Sequence, residues 1–280
     1  MAQPVLLITG TSSGIGLSTA VAAAGAGYQV VATLRNPDSG GALTTAAAAA
    51  GVELDVRTLD VTEAESIQDC IDGIVADHGS LDVLVNNAGA GYVGTIENVS
   101  MEDMRRVMET NYFSVVAMTK AAMPHLRASG GRVISVSSVG GAVGQPFNEA
   151  YCAAKFAVEG FLESLAPVAA TVGVLVSIIE PGPVTTEFVN NVGVDISAMF
   201  AAAGPYLPAM QGYLDRVVAQ FGSDTAQTAE QVASVILGVL QADQPALRVQ
   251  TGPWVEAFVG MKLSDLDGST VLGETSTWVA

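Results

Sequence analysis

The chain has 280 residues, of which 50% are hydrophobic, enough to build one large α/β domain or two small ones. Its formal net charge is -17 at pH 7, with 11 Lys and Arg against 28 Asp and Glu. A surface of that charge repels phosphate backbones and anionic lipids, so neither nucleic acids nor membranes are expected as partners. Two cysteines, Cys70 and Cys152, are too few for a disulfide framework, and no ligand spacing indicates a metal site.

The first 34 residues carry no charged side chain, which raises the question of a signal peptide or a membrane helix. No basic segment precedes the apolar run Val5–Ile8, and Gly10, Gly14 and Gly16 interrupt that run early. A buried strand followed by a glycine turn and a buried helix explains the composition better. The protein is therefore expected to be soluble and cytoplasmic.

Short β-rich runs alternate with helix-length segments along the whole chain. The runs are continuously apolar, as is typical of parallel strands covered on both faces. This alternation predicts right-handed βαβ units in a single α/β domain, residues 1–280. The predicted fold is of Rossmann type, with a doubly wound parallel sheet of about seven strands and helices on both faces. The predicted strands are 5–9, 29–33, 53–59, 82–86, 132–137, 174–180 and 246–250. The predicted helices are 14–25, 41–50, 63–78, 101–127, 150–171 and 228–241, with Thr62 and Ser100 as helix starts.

Residues 187–224 interrupt the alternation. The segment combines aromatic, Met and Leu side chains with Gly and Pro, which predicts an insertion of short helices and loops. Its apolar side chains suit the wall or lid of a substrate pocket, but they could equally form a small core of the insertion itself. They are Phe188, Met199, Phe200, Tyr206, Leu207, Met210, Tyr213 and Phe221.

A glycine-rich turn follows the first predicted strand and opens the first helix. Glycines allow a tight turn and let the backbone approach a pyrophosphate, while the helix N-terminus presents free N–H groups to the anion. The turn therefore predicts a dinucleotide-binding site. Its residues are Gly10, Ser12, Ser13, Gly14, Ile15 and Gly16.

The end of the second strand favours NADP(H) over NAD(H). An acidic residue there typically binds the ribose hydroxyls of NAD, whereas a nearby Arg accommodates the 2′-phosphate of NADP. Here Leu34 and Arg35 end the strand, and the first acid of the chain is Asp38. The alternative for Arg35 is a solvated loop charge.

Three residues form a candidate catalytic group. Tyr151 and Lys155, four residues apart, share one face of a predicted helix, and Ser138 ends a predicted strand. A neighbouring ammonium is expected to lower the pKa of the tyrosine from ~10 toward the range in which a general acid and base works. Ser138 could donate a hydrogen bond to a carbonyl oxygen as charge develops on it.

With these motifs in this order, the chain resembles the short-chain dehydrogenase/reductase family, and within it the branch of 17β-hydroxysteroid and retinol dehydrogenases. The matching residues are Thr9, Gly10, Gly14, Gly16, Asp60, Asn86, Asn87, Ala88, Gly89, Asn111, Ser138, Tyr151, Lys155, Pro181, Gly182 and Thr186. They span about two thirds of the chain.

The resemblance implies a role for each of these positions. Asp60, with Val61 beside it, would bind the adenine, and the turn of Asn87, Ala88 and Gly89 would lie under the cofactor. The segment of Pro181, Gly182, Val184 and Thr186 would hold the nicotinamide end, where Tyr151 and Lys155 would also contact the cofactor. Asn111 would anchor a water that links Lys155 to solvent. The resemblance further implies a homodimer or homotetramer paired through the helix of Tyr151 and Lys155 and through the helical segment after it.

The leading hypothesis is an NADP(H)-dependent oxidoreductase that acts on a carbonyl or secondary alcohol of a hydrophobic, steroid-, retinoid- or polyketide-like molecule. Two alternatives remain. An NAD-dependent epimerase or dehydratase uses the same Tyr and Lys, although such enzymes usually have a different glycine spacing and a larger substrate domain. A nucleotide-sensing protein without catalytic activity typically lacks the Tyr or the Lys, and both are present here.

Overall fold

A computed structural model describes residues 3–186, 196–223 and 225–279. Its centre is a sheet of seven parallel strands, in agreement with the sequence prediction. These strands are β1 (Val5–Ile8), β2 (Gln29–Leu34), β3 (Asp55–Thr58), β4 (Val83–Asn86), β5 (Arg132–Val136), β6 (Leu175–Glu180) and β9 (Arg248–Gln250). They lie in the order β3-β2-β1-β4-β5-β6-β9. A separate parallel pair joins β7 (Val184–Thr185) to β8 (Gln227–Thr228).

Helices cover both faces of the sheet. In the described part of the chain they are α1 (Gly14–Gly25), α2 (Gly41–Ala50), α3 (Ala64–His78), α4 (Met101–Met108), α5 (Ser114–Ser129), α6 (Glu149–Ala170), α7 (Ile196–Ala202), α8 (Leu207–Phe221), α9 (Ala229–Gln241), α10 (Pro253–Ser264) and α11 (Ser269–Ser276). Within that part no helix is long and apolar enough to cross a bilayer.

The apolar strands have a core on each side, which explains why they do not alternate between apolar and polar residues. Leu7 of β1 packs with α3, α5 and α6 on one face, whereas its neighbours Leu6 and Ile8 pack with α1, α2 and α9 on the other. All three side chains are fully buried. The strands β1, β2, β4, β5 and β6 contribute side chains to both cores, so the sheet lies between two helical layers.

The predicted helix 101–127 is interrupted. Between α4 and α5 the chain forms a π-helical turn, Glu109–Phe113, and Asn111 lies within it. The predicted start at Ser100 is confirmed, because its hydroxyl accepts a hydrogen bond from the backbone N–H of Asp103 at 2.9 Å. The predicted start at Thr62 is wrong: α3 begins at Ala64, and the Thr62 hydroxyl donates instead to the carboxylate of Asp60.

The predicted insertion contributes α7 and α8; its residues 187–195 and 224 lie outside the described residues. These helices pack together with α10 and α11, two C-terminal helices that the sequence analysis did not predict. The shared apolar cluster also includes Val139 and Phe147, next to α6. Inside the cluster the rings of Trp254, Phe258 and Trp278 stack in series, with centroid distances of 5.3 and 5.4 Å. The described part of the insertion thus shares its core with the C-terminal helices.

Candidate active site

The glycine turn adopts a backbone that residues with side chains rarely allow. Gly10 and Gly14 have φ angles of 72° and 59°, in the left-handed region. Gly16 is restricted for a different reason, because a methyl group there would overlap the carbonyl of Gly10 and the side chain of Asn87. The turn therefore brings its backbone N–H groups and the N-terminus of α1 to one open edge of the sheet, a geometry suited to an anion. Ser12, Ser13 and Ile15 complete this turn.

The turn after β4 is fastened to the glycine turn. The side chain of Asn87 donates hydrogen bonds to the carbonyls of Thr9 and Gly10, both at 2.9 Å. The hydroxyl of Thr9 accepts from the backbone N–H groups of Asn87 and Ala88, at 3.0 and 2.9 Å. Gly10 and Ala88 pack so closely that a side chain on Gly10 would collide with the Ala88 backbone. These contacts place two of the predicted cofactor segments side by side.

The ends of β2 and β3 form the far side of the same edge. Leu34 is buried, whereas Arg35 is exposed. Burial raises the pKa of Asp60, but hydrogen bonds from Thr62 and the charge of Arg35 outweigh it and hold this pKa below its usual value. Arg35 is therefore close enough to Asp60 to interact with it, and Val61 beside Asp60 is half-buried against the core. The residues predicted for the adenine and its ribose do lie together.

Ser138, Tyr151 and Lys155 converge at the end of β5. Ser138 follows β5 and caps the next turn, since its hydroxyl accepts from the N–H of Gly140 at 3.0 Å. It also forms a hydrogen bond with Tyr151. Lys155, one helical turn beyond Tyr151 on α6, is buried, with its Nζ 5.8 Å from the centre of the Tyr151 ring. The amine donates to the carbonyl of Val136 at 3.0 Å. The three predicted catalytic side chains therefore form one group.

Burial dominates the electrostatics of this group. It raises the pKa of Tyr151 to about 12, although the hydrogen bond with Ser138 acts in the opposite direction. The net shift of this pKa is upward, so the expected lowering toward the neutral range is wrong, because burial outweighs the opposing effects. Burial also lowers the pKa of Lys155 to about 8, against the charge of Glu159, which raises it. At neutral pH the tyrosine therefore holds its proton and the lysine remains mostly charged.

Asn111 lies across a narrow gap from Lys155. Its amide donates to the carbonyls of Ala90 and Val107, at 2.8 and 2.9 Å, and its Oδ1 accepts from the N–H of Ala90. Asn111 lies in the π-helical turn, and its side chain reaches back one turn to the Val107 carbonyl. A methyl group on Gly89 would lie 2.9 Å from Asn111 Oδ1 and 3.7 Å from Lys155 Nζ. The absence of a side chain at Gly89 keeps the space between the two groups open.

The segment after β6 closes the edge next to these residues. The carbonyl of Pro181 accepts from the N–H of Val139 at 2.8 Å, and Val184 is buried. Thr186 lies beside the glycine turn, 3.2 Å from where a methyl group on Gly14 would stand. A methyl group on Gly182 would contact the ring of Trp254 at 3.3 Å. The sequence analysis missed this tryptophan, which lies 72 positions further along the chain.

A cavity of about 290 Å³ lies between the loop after β4 and the insertion. One wall is formed by Tyr92 and Val93, and the other by Met199 and Met210 of the insertion helices. The side chain of Asn98 donates a hydrogen bond to the carbonyl of Ala202, which pins α7 to the loop. Predicted pocket residues of the insertion therefore do line a cavity, while also packing into the shared C-terminal cluster.

Together, the switch in strand order between β1 and β4 and the glycine turn define a doubly wound α/β protein, a class in which dinucleotides bind at the C-terminal edge of the sheet. The short chain dehydrogenase family profile matches residues 4–197. The chain is 40% identical over 283 residues to retinol dehydrogenase 8 of Bos taurus, covering 96% of this chain and 88% of that protein. It belongs to the short-chain dehydrogenase family of oxidoreductases, whose members bind a nicotinamide cofactor and act on alcohol or carbonyl groups.

Two further comparisons agree with this assignment. The human 17-beta-hydroxysteroid dehydrogenase type 1 is 38% identical over 277 residues, which cover 96% of this chain and 84% of that enzyme. A short chain dehydrogenase/reductase of Burkholderia phymatum, solved in complex with NAD, superposes with a TM-score of 0.81 over 95% of both chains. At 24% identity, this last likeness supports the fold alone.

The close contacts of Gly16 generate a test of the dinucleotide site. We expect Gly16→Ala to weaken binding of NADPH or NADH at least tenfold and to lower the free energy of unfolding by about 1–3 kcal/mol, because the new methyl group overlaps the turn. Titration calorimetry and urea unfolding measure the two effects. Gly25→Ala is the control, since a methyl group there meets nothing within 4 Å. Unchanged binding by the Gly16 variant would contradict the predicted role of the turn.

Proposed function

We propose that the protein is an NADP(H)-dependent oxidoreductase that transfers a hydride between the nicotinamide and a carbonyl or secondary alcohol of a hydrophobic small molecule. The proposal rests on one observation: Ser138, Tyr151 and Lys155 form a group at the same edge of the sheet as the glycine turn. In the reductive direction, bound NADPH would supply the hydride to the carbonyl carbon.

In this proposal the chain supplies the proton and stabilises the charge. A substrate carbonyl oxygen would accept hydrogen bonds from the hydroxyls of Ser138 and Tyr151, which are already neighbours. As the carbon gains hydride, the oxygen takes the proton of Tyr151. The buried ammonium of Lys155 stabilises the phenolate that remains, and a water held near Asn111 can return a proton from solvent through the gap at Gly89. The pKa of about 12 fits a tyrosine that is protonated before reduction.

The cofactor preference is proposed from the end of β2. Leu34 offers no carboxylate to a ribose diol, and its side chain is buried in the core. Arg35 is exposed, and its charge reaches Asp60 across the predicted adenine site. An accessible guanidinium in this place can form a charge-assisted hydrogen bond with the 2′-phosphate of NADP(H). NAD(H) lacks that phosphate, so the guanidinium has no such group to bind there.

A hydrophobic substrate is supported by the walls around the proposed site. Val139 and Val143, which follow Ser138, belong to the same apolar cluster as the insertion and the C-terminal helices. The relatives named for retinol and for 17-beta-hydroxysteroids align over 96% of this chain. We infer a substrate of that general kind, apolar and larger than a simple ketone, approaching from the side of the insertion.

An NADPH-oxidation screen over steroids, retinoids, polyketide-like quinones and small polar ketones tests the proposed reaction. We expect turnover with at least one apolar carbonyl compound and a kcat/KM at least tenfold lower for small polar ketones. Cofactor that stays bound through purification, with no net oxidation of NADPH, would favour the epimerase or dehydratase alternative. Binding of the cofactor with no chemistry at all would favour a nucleotide sensor.

Tyr151→Phe tests the proton donor. On a ketone identified by the screen, we expect kcat to fall about 100 to 10,000-fold, the usual contribution of a general acid, while the Kd for NADPH stays within about threefold. Tyr28→Phe serves as the control, because its hydroxyl donates to the carbonyl of Leu240, away from the catalytic group. Retention of more than a tenth of wild-type kcat by the Tyr151 variant would exclude Tyr151 as the acid.

Two substitutions at the end of β2 test the cofactor choice. Arg35→Ser should lower kcat/KM for NADPH by about 10 to 100-fold and leave NADH unaffected, because a charge-assisted hydrogen bond contributes about 1.5–3 kcal/mol. Leu34→Asp should reverse the preference, since a carboxylate repels the 2′-phosphate and accepts from a free diol. Because Leu34 is buried, urea unfolding of the Leu34 variant should be measured together with the kinetics, to show that the variant is folded. Arg105→Ser, exposed on α4, is the matched control. A wild-type enzyme that uses NADH as well as NADPH would overturn the assignment.

We also propose a homodimer or homotetramer paired through α6 and the elements beside it. Val158 and Leu162 of α6 are buried in the core, while Phe156 is 41% exposed. Phe113, in the π-helical turn that packs against α6, is 49% exposed. One face of this layer therefore serves the core, and the other offers aromatic side chains to a second copy.

Light scattering at micromolar concentration measures the assembly directly. The wild type should have the mass of a dimer or a tetramer, and Phe156→Glu should shift it toward the monomer by placing a charge in an apolar contact. Val218→Glu provides the control, because Val218 is 72% exposed on α8, in a different part of the molecule. A monomeric wild type would contradict the proposal.

A further inference from the structure

A third ionisable side chain continues the line of Tyr151 and Lys155 along α6. Glu159 follows Lys155 by four residues, so the three side chains share one face of the helix. Lys155 and Glu159 are each only 5% exposed. A methyl group on Gly141, in the turn after Ser138, would contact the Glu159 carboxylate at 3.0 Å, so the acid lies directly behind the catalytic turn.

Glu159 is held from its other side by the last strand of the sheet. Arg248 of β9 lies with its Nε 3.2 Å from Glu159 and with a terminal nitrogen 2.8 Å from Glu163. The same Nε is 3.6 Å from Glu180 of β6, whose side chain is fully buried. The side chain of Gln250 donates to the second oxygen of Glu180 at 2.8 Å. Arg248 is thus shared among three carboxylates.

In this cluster three carboxylates share one arginine. A buried charge is costly unless a partner of opposite sign lies near it. Arg248 of β9 pairs with all three carboxylates, and Lys155, four residues before Glu159 on α6, adds a second buried cation. The groups that face one another here are Tyr151, Lys155, Glu159 and Glu163 from α6, Ser137 after β5, Glu180 from β6, and Arg248 and Gln250 from β9.

We propose that Glu159 is a positioning residue for Lys155: its buried carboxylate, fixed by Arg248, keeps the lysine amine protonated behind Tyr151. The role rests on the proposed function of Tyr151 and Lys155, and Glu159, which is only 5% exposed, would act through Lys155. Through Arg248, the charge on the catalytic lysine also depends on the last strand of the sheet.

The direction of the effect follows from the titration of the groups. Burial lowers the pKa of Lys155 to about 8, and the charge of Glu159 is what raises it against that desolvation. Burial raises the pKa of Glu159, while Ser137, Arg248 and Lys155 oppose the rise. Removal of the Glu159 charge should therefore lower the pKa of Lys155 further and leave the amine more often neutral at physiological pH.

The scarcity of lysine allows a direct measurement. The chain contains only Lys120, Lys155 and Lys262, so protein labelled with ¹³C at lysine Cε gives three signals. Lys120→Arg and Lys262→Arg variants assign them. In the full-length protein without substrate, a pH titration should place Lys155 near 8 in the wild type and about one pH unit lower in Glu159→Gln, the size expected for an opposite charge within ~4–6 Å.

Glu163→Gln is the matched control, because it removes the same kind of charge from the same Arg248 one helical turn further from Lys155. We expect its Lys155 pKa to remain within about 0.3 units of the wild type. Should Glu159→Gln fail to fold, as judged by circular dichroism, Glu159→Asp replaces it with a smaller drop expected. A Lys155 pKa that does not fall in the folded Glu159 variant, or that falls equally in Glu163→Gln, overturns the proposal.

The titration needs no turnover, so it separates this inference from the proposed reaction. If both hold, the alkaline limb of kcat for ketone reduction should move to lower pH in Glu159→Gln by the same amount as the lysine titration, with KM for the substrate changed less than twofold. A shifted titration with an unshifted pH profile would show that Glu159 sets the lysine charge but that this charge does not control catalysis, and would overturn the positioning role.

Discussion

The hydrogen bonds between the turn after β1 and the turn after β4 hold the site together. The strand order reverses between these two strands, and the helices that follow β1 and precede β4 pack on opposite faces of the sheet. Beyond the pairing of β1 with β4, the side chain of Asn87 and the hydroxyl of Thr9 connect the two turns directly. Because the strands are rigid, fixing this one junction also fixes the distance from the glycine turn to β5 and its serine.

The second constraint is the burial of charge along α6. A helix that carries a lysine and a glutamate into the interior must supply partners from elsewhere, and here they come from the strands beneath it. The lysine donates to a strand carbonyl, and the glutamate accepts from the arginine of the last strand. Helix α6 is thus aligned by polar contacts in addition to apolar packing, which gives the Tyr151 side chain a defined position relative to Ser138.

The fold and the centre of the site could be predicted from the sequence because their signals are local. Continuous apolar runs identify the strands, and the four-residue spacing identifies Tyr151 and Lys155. The contacts missed by the sequence analysis join distant residues. Arg248 lies 89 positions after Glu159, and Trp254 meets Gly182 across a comparable separation. The π-helical turn at Asn111 was also missed, since helix-forming residues continue through it and only the side-chain hydrogen bonds of Asn111 distinguish it.

The stacked rings of the C-terminal cluster have a consequence for spectroscopy. The sequence contains only two tryptophans, and both belong to this stack. Trp254 lies against the loop after β6, and the Trp278 ring lies 4.5 Å below the guanidinium of Arg216 from the insertion. The intrinsic tryptophan emission of the protein therefore originates from this single corner, where the insertion, the C-terminal helices and the edge with the proposed active site meet. A rearrangement of that corner would therefore change the emission spectrum without any added label. A change confined to the opposite edge of the sheet would leave the spectrum as it was.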